Sequence, residues 1–573
     1  MLREIFFACT RLTVQEDSSE INAEGSWSWV NVSYVCSSWR RIALECQDLW
    51  RCIDFSNPKW HAITSGRAKI CPLHIQTTIT DRNISLLRRT LHLANRIEDI
   101  HLIGPIQHIY SLLALLTCPN PSLKSLIVDV RTPQDRSALY ICHPPTLPSG
   151  GPALRDLTYM ELHSAPFSLL TPRCTFLTHL HLHDLPLTER PTFQYFLFKL
   201  EKLERLQYLT LDRAFPSNDF DVSRRISLPR LKRINLGGSV TEIANLLDSI
   251  MIPPSVCIIC KVYTFVDLKA GVWKFCQQLS AHSWANTDGQ SSLETLVVAR
   301  NESCSRLTDE FQPNPEFRQS LRFRAFRQDC EGGEAAFDIT FDPEDNNNSD
   351  DGDDELMITA LTATWKGLAL SQVHILALQN LDIVTQRTWL EYLRTLPSLR
   401  ILGITGRPPS GLVWALLMNA KHQVSDTDDE YQGAQVRLLV PKLNDIYLNK
   451  VDCSSGGFMV SHTAPINSYF DLDDSRFLDV LVAGLTARSF FGLSLRSLSI
   501  SRCEYVLHES VENARKAVCH LVCDQRNSSN GKESAVVDEQ WPARYWDGWK
   551  FENWQPRHFY RLRTVVSEDS EPE

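Results

Sequence analysis

No apolar run in this sequence approaches the roughly 18 residues that a membrane span needs. Ser111-Leu112-Leu113-Ala114-Leu115-Leu116 is typical of the longest. The opening Ile5-Phe6-Phe7-Ala8-Cys9 is likewise too short for the apolar region of a signal peptide. Neither membrane association nor secretion is expected, so the glycosylation patterns Asn83-Ile84-Ser85 and Asn527-Ser528-Ser529 carry no weight. Excess positive charge is also missing. The net charge is −10, whereas nucleic-acid binding needs clustered Lys and Arg. The 17 cysteines are odd in number and lack regular spacing, which fits reduced thiols in the cytosol or nucleus better than a disulfide framework.

Familiar chemical motifs are lacking too. Gly531-Lys532 has Arg526 where the leading glycine of a phosphate loop belongs. Gly492-Leu493-Ser494-Leu495-Arg496 breaks the nucleophile-elbow pattern at its last position. Cys257-Ile258-Ile259-Cys260 has no second pair, and Cys519-His520 with Cys523 is incomplete; a zinc site needs four ligands, so core thiols are expected. In the acidic stretch 342–355, Asp351-Gly352 resembles a calcium loop, but Ile358 stands where the bidentate glutamate belongs. The expectation is a protein that is not an enzyme, with no catalytic residue, cofactor or bound metal.

What the sequence does have is ordinary globular composition, 43% hydrophobic and 22% charged, over 573 residues. That length exceeds one compact core unless the chain grows by stacking repeats. A repeat is present: aliphatic, two variable, aliphatic, one variable, aliphatic. It occurs as Ile97-Ile100-Leu102, Leu123-Leu126-Val128, Leu154-Leu157-Tyr159, Leu177-Leu180-Leu182, Leu206-Leu209-Leu211 and Leu231-Ile234-Leu236. It continues as Leu293-Leu296-Val298, Val373-Leu376-Leu378, Leu399-Leu402-Ile404, Leu443-Ile446-Leu448 and Leu495-Leu498-Ile500, with wider and irregular spacing. The early spacing matches the 20–29 residues, or slightly more, of a leucine-rich repeat.

Between these phrases lie sets with helical spacing: Ile109, Leu112, Leu113 and Leu116; Phe193, Phe196, Leu197 and Leu200; Ile243, Leu246, Leu247 and Ile250; Leu478, Leu481, Val482 and Leu485. Pro121, Pro152, Pro229, Pro397 and Pro441 each stand two residues before the first leucine of a phrase, where proline ends a helix and lets the chain enter a strand. The predicted unit is helix, proline, strand, and a stack of such units buries one continuous core.

Near the start, Val32, Val35, Cys36, Trp39, Ile42 and Ala43 recur at helical steps, followed by Leu49-Trp50 and Ile53-Asp54. The order Val-Cys-x-x-Trp-Arg-x-Ile-Ala, Leu-Trp, Ile-Asp resembles the F-box, the helical module that attaches substrate receptors to a cullin-based ubiquitin ligase through a Skp-type adaptor. Met1-Leu2-Arg3-Glu4-Ile5-Phe6-Phe7 looks like the end of the F-box first helix without its Leu-Pro start, and a polar insert, 13–26, follows. Either the chain is shortened there or the module is degenerate. The resemblance implies that Leu2, Ile5, Phe6, Val35, Cys36, Trp39, Ile42, Leu49 and Trp50 form the adaptor-binding surface.

The fold class expected is α/β: an F-box-like helical module over 1–55, a connector over 56–92, and an irregular leucine-rich-repeat solenoid, a horseshoe, over 93–510. Residues 342–355 are expected as a disordered loop, and 511–573 as a C-terminal cap, with Trp541, Trp546, Trp549 and Trp554, and an acidic tail. With the leucines pointing inward, the residues between them form an exposed face that includes Asp99, His101, Asp129, Asp156, His179, His181, Tyr208, Asp212, Arg233, Asn235, Asp445, Tyr447 and Asn449. His181, Tyr208, Arg233 and Tyr447 are the expected anchors for a protein substrate, because aromatic and arginine side chains dominate binding energy. His179, His181 and His183 share one face; that geometry fits a metal or an acidic peptide, but sequence places no carboxylate or fourth ligand beside them. The combination resembles the leucine-rich-repeat F-box proteins, of a kind abundant in fungi. It implies a cytoplasmic or nuclear substrate-recognition subunit partnered by a Skp-type adaptor, a cullin and a protein substrate. The rival readings are an interaction scaffold with a degenerate F-box and an enzyme built around the histidine trio.

Overall fold

The computed structural model describes residues 30–31, 33–92, 94–116, 123–131, 156–170, 174–217, 225–264, 268–283, 293–301, 320–327, 335–342, 352–409, 411–417, 439–454 and 476–524. The architecture is mixed α/β, with helices alternating with strands of a largely parallel sheet. Two compact units divide the chain: Met1–Asn235 with Ser249–Met251, and Leu236–Asp248 with Ile252–Glu573.

In the first unit seven strands lie side by side in sequence order, all parallel: β1 (Cys52–Ile53), β2 (Leu73–Thr78), β3 (Ile97–Gly104), β4 (Ser125–Val130), β5 (Tyr159–His163), β6 (His179–His183) and β7 (Tyr208–Asp212). Further along the chain come β8 (Ile226–Ser227), β9 (Arg233–Ser239) and β10 (Ile250–Met251), of which β8 and β10 pair with each other. The helices Ile106–Leu113 and Phe193–Glu201 bury the predicted faces; Ile109, Leu112, Phe196 and Leu200 are each 0% exposed. Thr192 caps the second, its hydroxyl accepting from the Tyr195 N–H at 3.4 Å.

Strand entry is set by a turn. Leu231, Leu399 and Leu443 donate backbone N–H groups to the carbonyls of Leu228, Leu396 and Val440 at 3.2, 3.1 and 3.2 Å. Pro229, Pro397 and Pro441 occupy the second position of these turns, where proline's fixed φ is already correct. Strand exit also repeats: Ser164, Asp184, Arg213, Asn380 and Arg502, each just after a strand, have φ between 50° and 52°. A left-handed residue there bends the chain out of the sheet. Pro121 and Pro152 lie outside the described residues.

The second unit contains β11 (Cys257–Thr264), β12 (Leu293–Asn301), β13 (Ser320–Arg327), β14 (Phe337–Phe341), β15 (Ile375–Gln379), β16 (Ile401–Gly406), β17 (Asp445–Val451), β18 (Leu495–Ser501) and β19 (Val518–Asp524). Hydrogen bonding orders them β11, β14, β13, β12, β15, β16, β17, β18, β19, with β13 antiparallel to both neighbours and the other pairs parallel. The widest gap between later phrases, from Leu293 to Val373, has its explanation here, because β13 and β14 follow β12 in sequence but pair between β11 and β12, reversing the local strand order. No helix among the described residues is long and apolar enough to cross a membrane.

Three sequence expectations are corrected. The phrase read as Leu154-Leu157-Tyr159 is Leu157-Met160-Leu162: Met160 and Leu162 stand opposite Leu180 and Leu182, and Tyr159 lies on the other face. Methionine occupies a position that the aliphatic pattern left open. Residues 56–92 are more than a connector, since they carry the helix Pro58–Ala68, β2 and the helix Ile84–Leu91. Of the predicted loop 342–355, residues 343–351 lie outside the described residues and 352–355 begin the helix Gly352–Gly367.

Candidate functional site

Because the strands of the first unit are in register, alternate residues form rows across the sheet. One row runs His74, Asp99, Ser125, Tyr159, His179, Tyr208. The next is Gln76, His101, Ile127, Glu161, His181, Thr210, and the third is Thr78, Ile103, Asp129, His163, His183, Asp212. Between them the leucine positions turn inward; Leu180, Leu182, Leu209 and Leu211 are at most 1% exposed. The opposite face is therefore the part of this sheet free to carry polar chemistry.

That face is tightly connected. The Tyr159 hydroxyl donates to Glu161 Oε2, and His163 Nε2 lies 2.7 Å from Glu161 Oε1. The His163 and His183 rings stack with centroids 4.5 Å apart and planes 7° apart, and Asp212 Oδ2 is 3.8 Å from His183 Nδ1. His181 Nδ1 lies 2.8 Å from Thr210 Oγ1, which also accepts from Asn235 Nδ2 at 3.3 Å. His179 stacks on Tyr208 at 4.4 Å and 9°, and its Nδ1 is 2.8 Å from Thr178 Oγ1.

The electrostatics follow from these contacts. The hydrogen bond from His163 holds the Glu161 carboxyl down at about 2, and the Tyr159 hydroxyl adds to the effect against burial. The same bond raises His163 above its usual value. Burial lowers His101, His179 and His181, with the Lys232 charge acting further on His179, so these rings favour the neutral form. Burial and the neighbouring Glu161 raise the Tyr159 hydroxyl.

The predicted substrate anchors do not share one unit. His181, Tyr208 and Arg233 stand half-buried in the first unit, and the Arg233 backbone N–H donates to the Gln207 carbonyl at 3.1 Å. Tyr447 belongs to the second unit, where it packs against Val297, Phe326, Ile375, Ala377 and Ile401. Asp445 and Asn449, expected to be exposed, are buried at 6% and 5%. Ser497 explains the first of these, since its hydroxyl donates to Asp445 Oδ1 at 2.7 Å. Asp156 is exposed in the turn before β5 rather than on the strand face. Glu161 and His163 were missed because the phrase was set three residues early; the strict Leu-x-x-Met-x-Leu match to the next repeat was the signal available.

At the N-terminal side, Leu2, Ile5 and Phe6 lie outside the described residues. Cys36 caps the helix Ser37–Glu45, its Sγ accepting from the Trp39 N–H at 3.4 Å. Val35 is 62% exposed and its neighbour Tyr34 68%, while Trp39 and Ile42 are half-buried. Leu49 and Trp50 correct the expectation: both are 3% exposed and belong to the core rather than to a docking surface. A short 3-10 turn, Gln47–Trp50, rotates them inward, where the Trp50 indole finds the Ala43 carbonyl.

No family model matches this sequence, nor does any curated protein.

Proposed function

We propose that this protein is a substrate-recognition subunit of a cullin-based ubiquitin ligase: an F-box-like helical module that holds a Skp-type adaptor, followed by an irregular leucine-rich-repeat solenoid that holds a protein substrate. The observation that carries this reading is the division of labour along the repeats of the first unit. Leucine-type residues are buried row by row, and the alternating positions form a half-buried face of histidine, tyrosine, carboxylate and arginine. Such a mixed polar and aromatic face suits protein recognition.

The F-box resemblance supplies the adaptor role, and the exposure of Tyr34 and Val35 beside the half-buried Trp39 and Ile42 supports it. An apolar surplus at the start of a short helix is what a protein partner covers. In this reading Val35, Cys36, Trp39 and Ile42 meet the adaptor, while Leu49 and Trp50 hold the module in shape. The protein does no chemistry of its own. It raises the effective concentration of its substrate at the transferring enzyme, because tethering makes the encounter intramolecular.

The test is affinity purification of the full chain from its own cells, with partners identified by mass spectrometry. Adaptor and cullin should co-purify, and substrate capture should fail once the repeats are deleted. Recovery of repeat-dependent partners without adaptor or cullin would leave an interaction scaffold in place of a ligase subunit.

A further inference from the structure

We propose that Glu161, His163 and His183 form a binding site for a zinc-type divalent transition-metal ion. This inference does not depend on the ubiquitin-ligase reading. One carboxylate oxygen of Glu161 and one ring nitrogen each of His163 and His183 lie within 4.8 Å of one another. Two adjacent strands supply them: Glu161 and His163 alternate on β5, and His183 on β6 stands directly opposite His163. The carboxylate that the histidine-rich strand lacks in sequence thus comes from the neighbouring strand.

The donor set selects the kind of ion. Two imidazoles with one carboxylate suit zinc and its first-row neighbours, whereas calcium and magnesium take oxygen ligands. The surroundings are those of a supported site. The Tyr159 hydroxyl occupies Glu161 Oε2, which leaves Oε1 directed at His163 Nε2, 2.7 Å away. An ion seated between them replaces the proton they share, and that proton leaves to solvent. Asp212 Oδ2, 3.8 Å from His183 Nδ1, places a second carboxylate beside this imidazole.

Ligands of one zinc ion at about 2.0–2.1 Å cannot stand more than about 4.2 Å apart, so binding tilts the stacked imidazoles toward one another. Side-chain exposures of 35% for His163 and 22% for His183 leave room for that tilt and for entry of the ion. A second cluster, His74, Glu98 and Asp99, has a comparable layout, but Glu98 already pairs with Arg51 and, at 2.6 Å, with Lys124. Its place for a cation is taken. Glu161 pairs with His163, whose proton a metal can displace.

The experiment titrates chelator-treated full chain with cobalt(II) chloride and follows visible absorption, with zinc chloride as competitor. One cobalt per chain is expected, displaced by zinc, without the near-ultraviolet thiolate charge-transfer bands that cysteine ligands would give. Glu161→Gln and His183→Gln should each weaken binding by roughly 10–100-fold. His179→Gln, on the same strand but stacked on Tyr208, should leave it unchanged. X-ray absorption of the zinc-loaded unaltered protein removes any dependence on how the variants fold, and its first shell should contain nitrogen and oxygen only. No cobalt binding, equal binding in folded Glu161→Gln, or sulfur in the zinc shell would each overturn the proposal.

Discussion

The indole N–H of Trp50 donates to the carbonyl of Ala43 at 3.0 Å, tying the end of the N-terminal helix to the turn that follows it. Arg67, from the next helix, lies over the Trp50 ring at 4.4 Å. Trp50 is thus the joint of this module. Trp50→Ala should cost about 3–5 kcal/mol, and Trp50→Phe about 1 kcal/mol for the hydrogen bond alone. Urea unfolding followed by circular dichroism measures both; equal losses would mean that the hydrogen bond, not packing, dominates.

Gly406 has φ +74°, and a Cβ there would run into Asn380 Oδ1. That oxygen accepts from the Arg407 N–H at 2.9 Å, while Asn380 Nδ2 donates to the Arg300 carbonyl at 3.3 Å. Gly406→Ala should therefore destabilise by about 1–3 kcal/mol through both strain and overlap. Thermal melting reads the loss, and an unchanged midpoint would contradict this role for the glycine.

Arg488 is 1% exposed and donates to three carbonyls: Leu416 at 3.2 Å, Leu439 at 3.1 Å and Val440 at 3.1 Å. Burial pulls its guanidinium down to about 10, still charged at neutral pH. Arg488→Met keeps the volume but strands those acceptors, at a cost of at least about 3 kcal/mol. Hydrogen exchange should rise first around Leu439 and Val440; unaltered exchange there would assign the arginine no structural role.

His61 packs 5.4 Å from the Phe55 ring, and its Nε2 lies 2.8 Å from Thr90 Oγ1. Burial lowers its folded-state pKa below 6.5, with the Arg89 charge acting in the same direction and Asp54 against it. The unfolded chain then binds the proton more readily, so stability is lost as pH falls from about 7 through that window. His61→Gln should flatten the acid limb of a melting-temperature profile; a parallel profile would place the acid sensitivity elsewhere.

Much of this fold was legible because leucine rows leave a periodic trace that packing enforces. In ten of the repeat phrases all three aliphatic residues are buried, with the middle and last of them on a strand. The exception, at β5, failed because Met160 fills an aliphatic position, and that one slip hid Glu161 and His163. The reversed order of β12 to β14 was not legible, since strand sequence records which residues face inward but not which neighbour they pair with. Leu49 and Trp50 were misassigned for a related reason: an apolar surplus on a helix surface and a core joint have the same composition. Burial alone separates them.

The most direct test of the ubiquitin-ligase reading is the affinity of the purified full chain for the Skp-type adaptor of its own cells, measured by titration calorimetry. The unaltered chain should bind, and Val35→Asp should abolish binding without changing the melting temperature, because Val35 is 62% exposed. Absence of binding by the unaltered chain, with its N-terminal module shown to be folded, would contradict the reading.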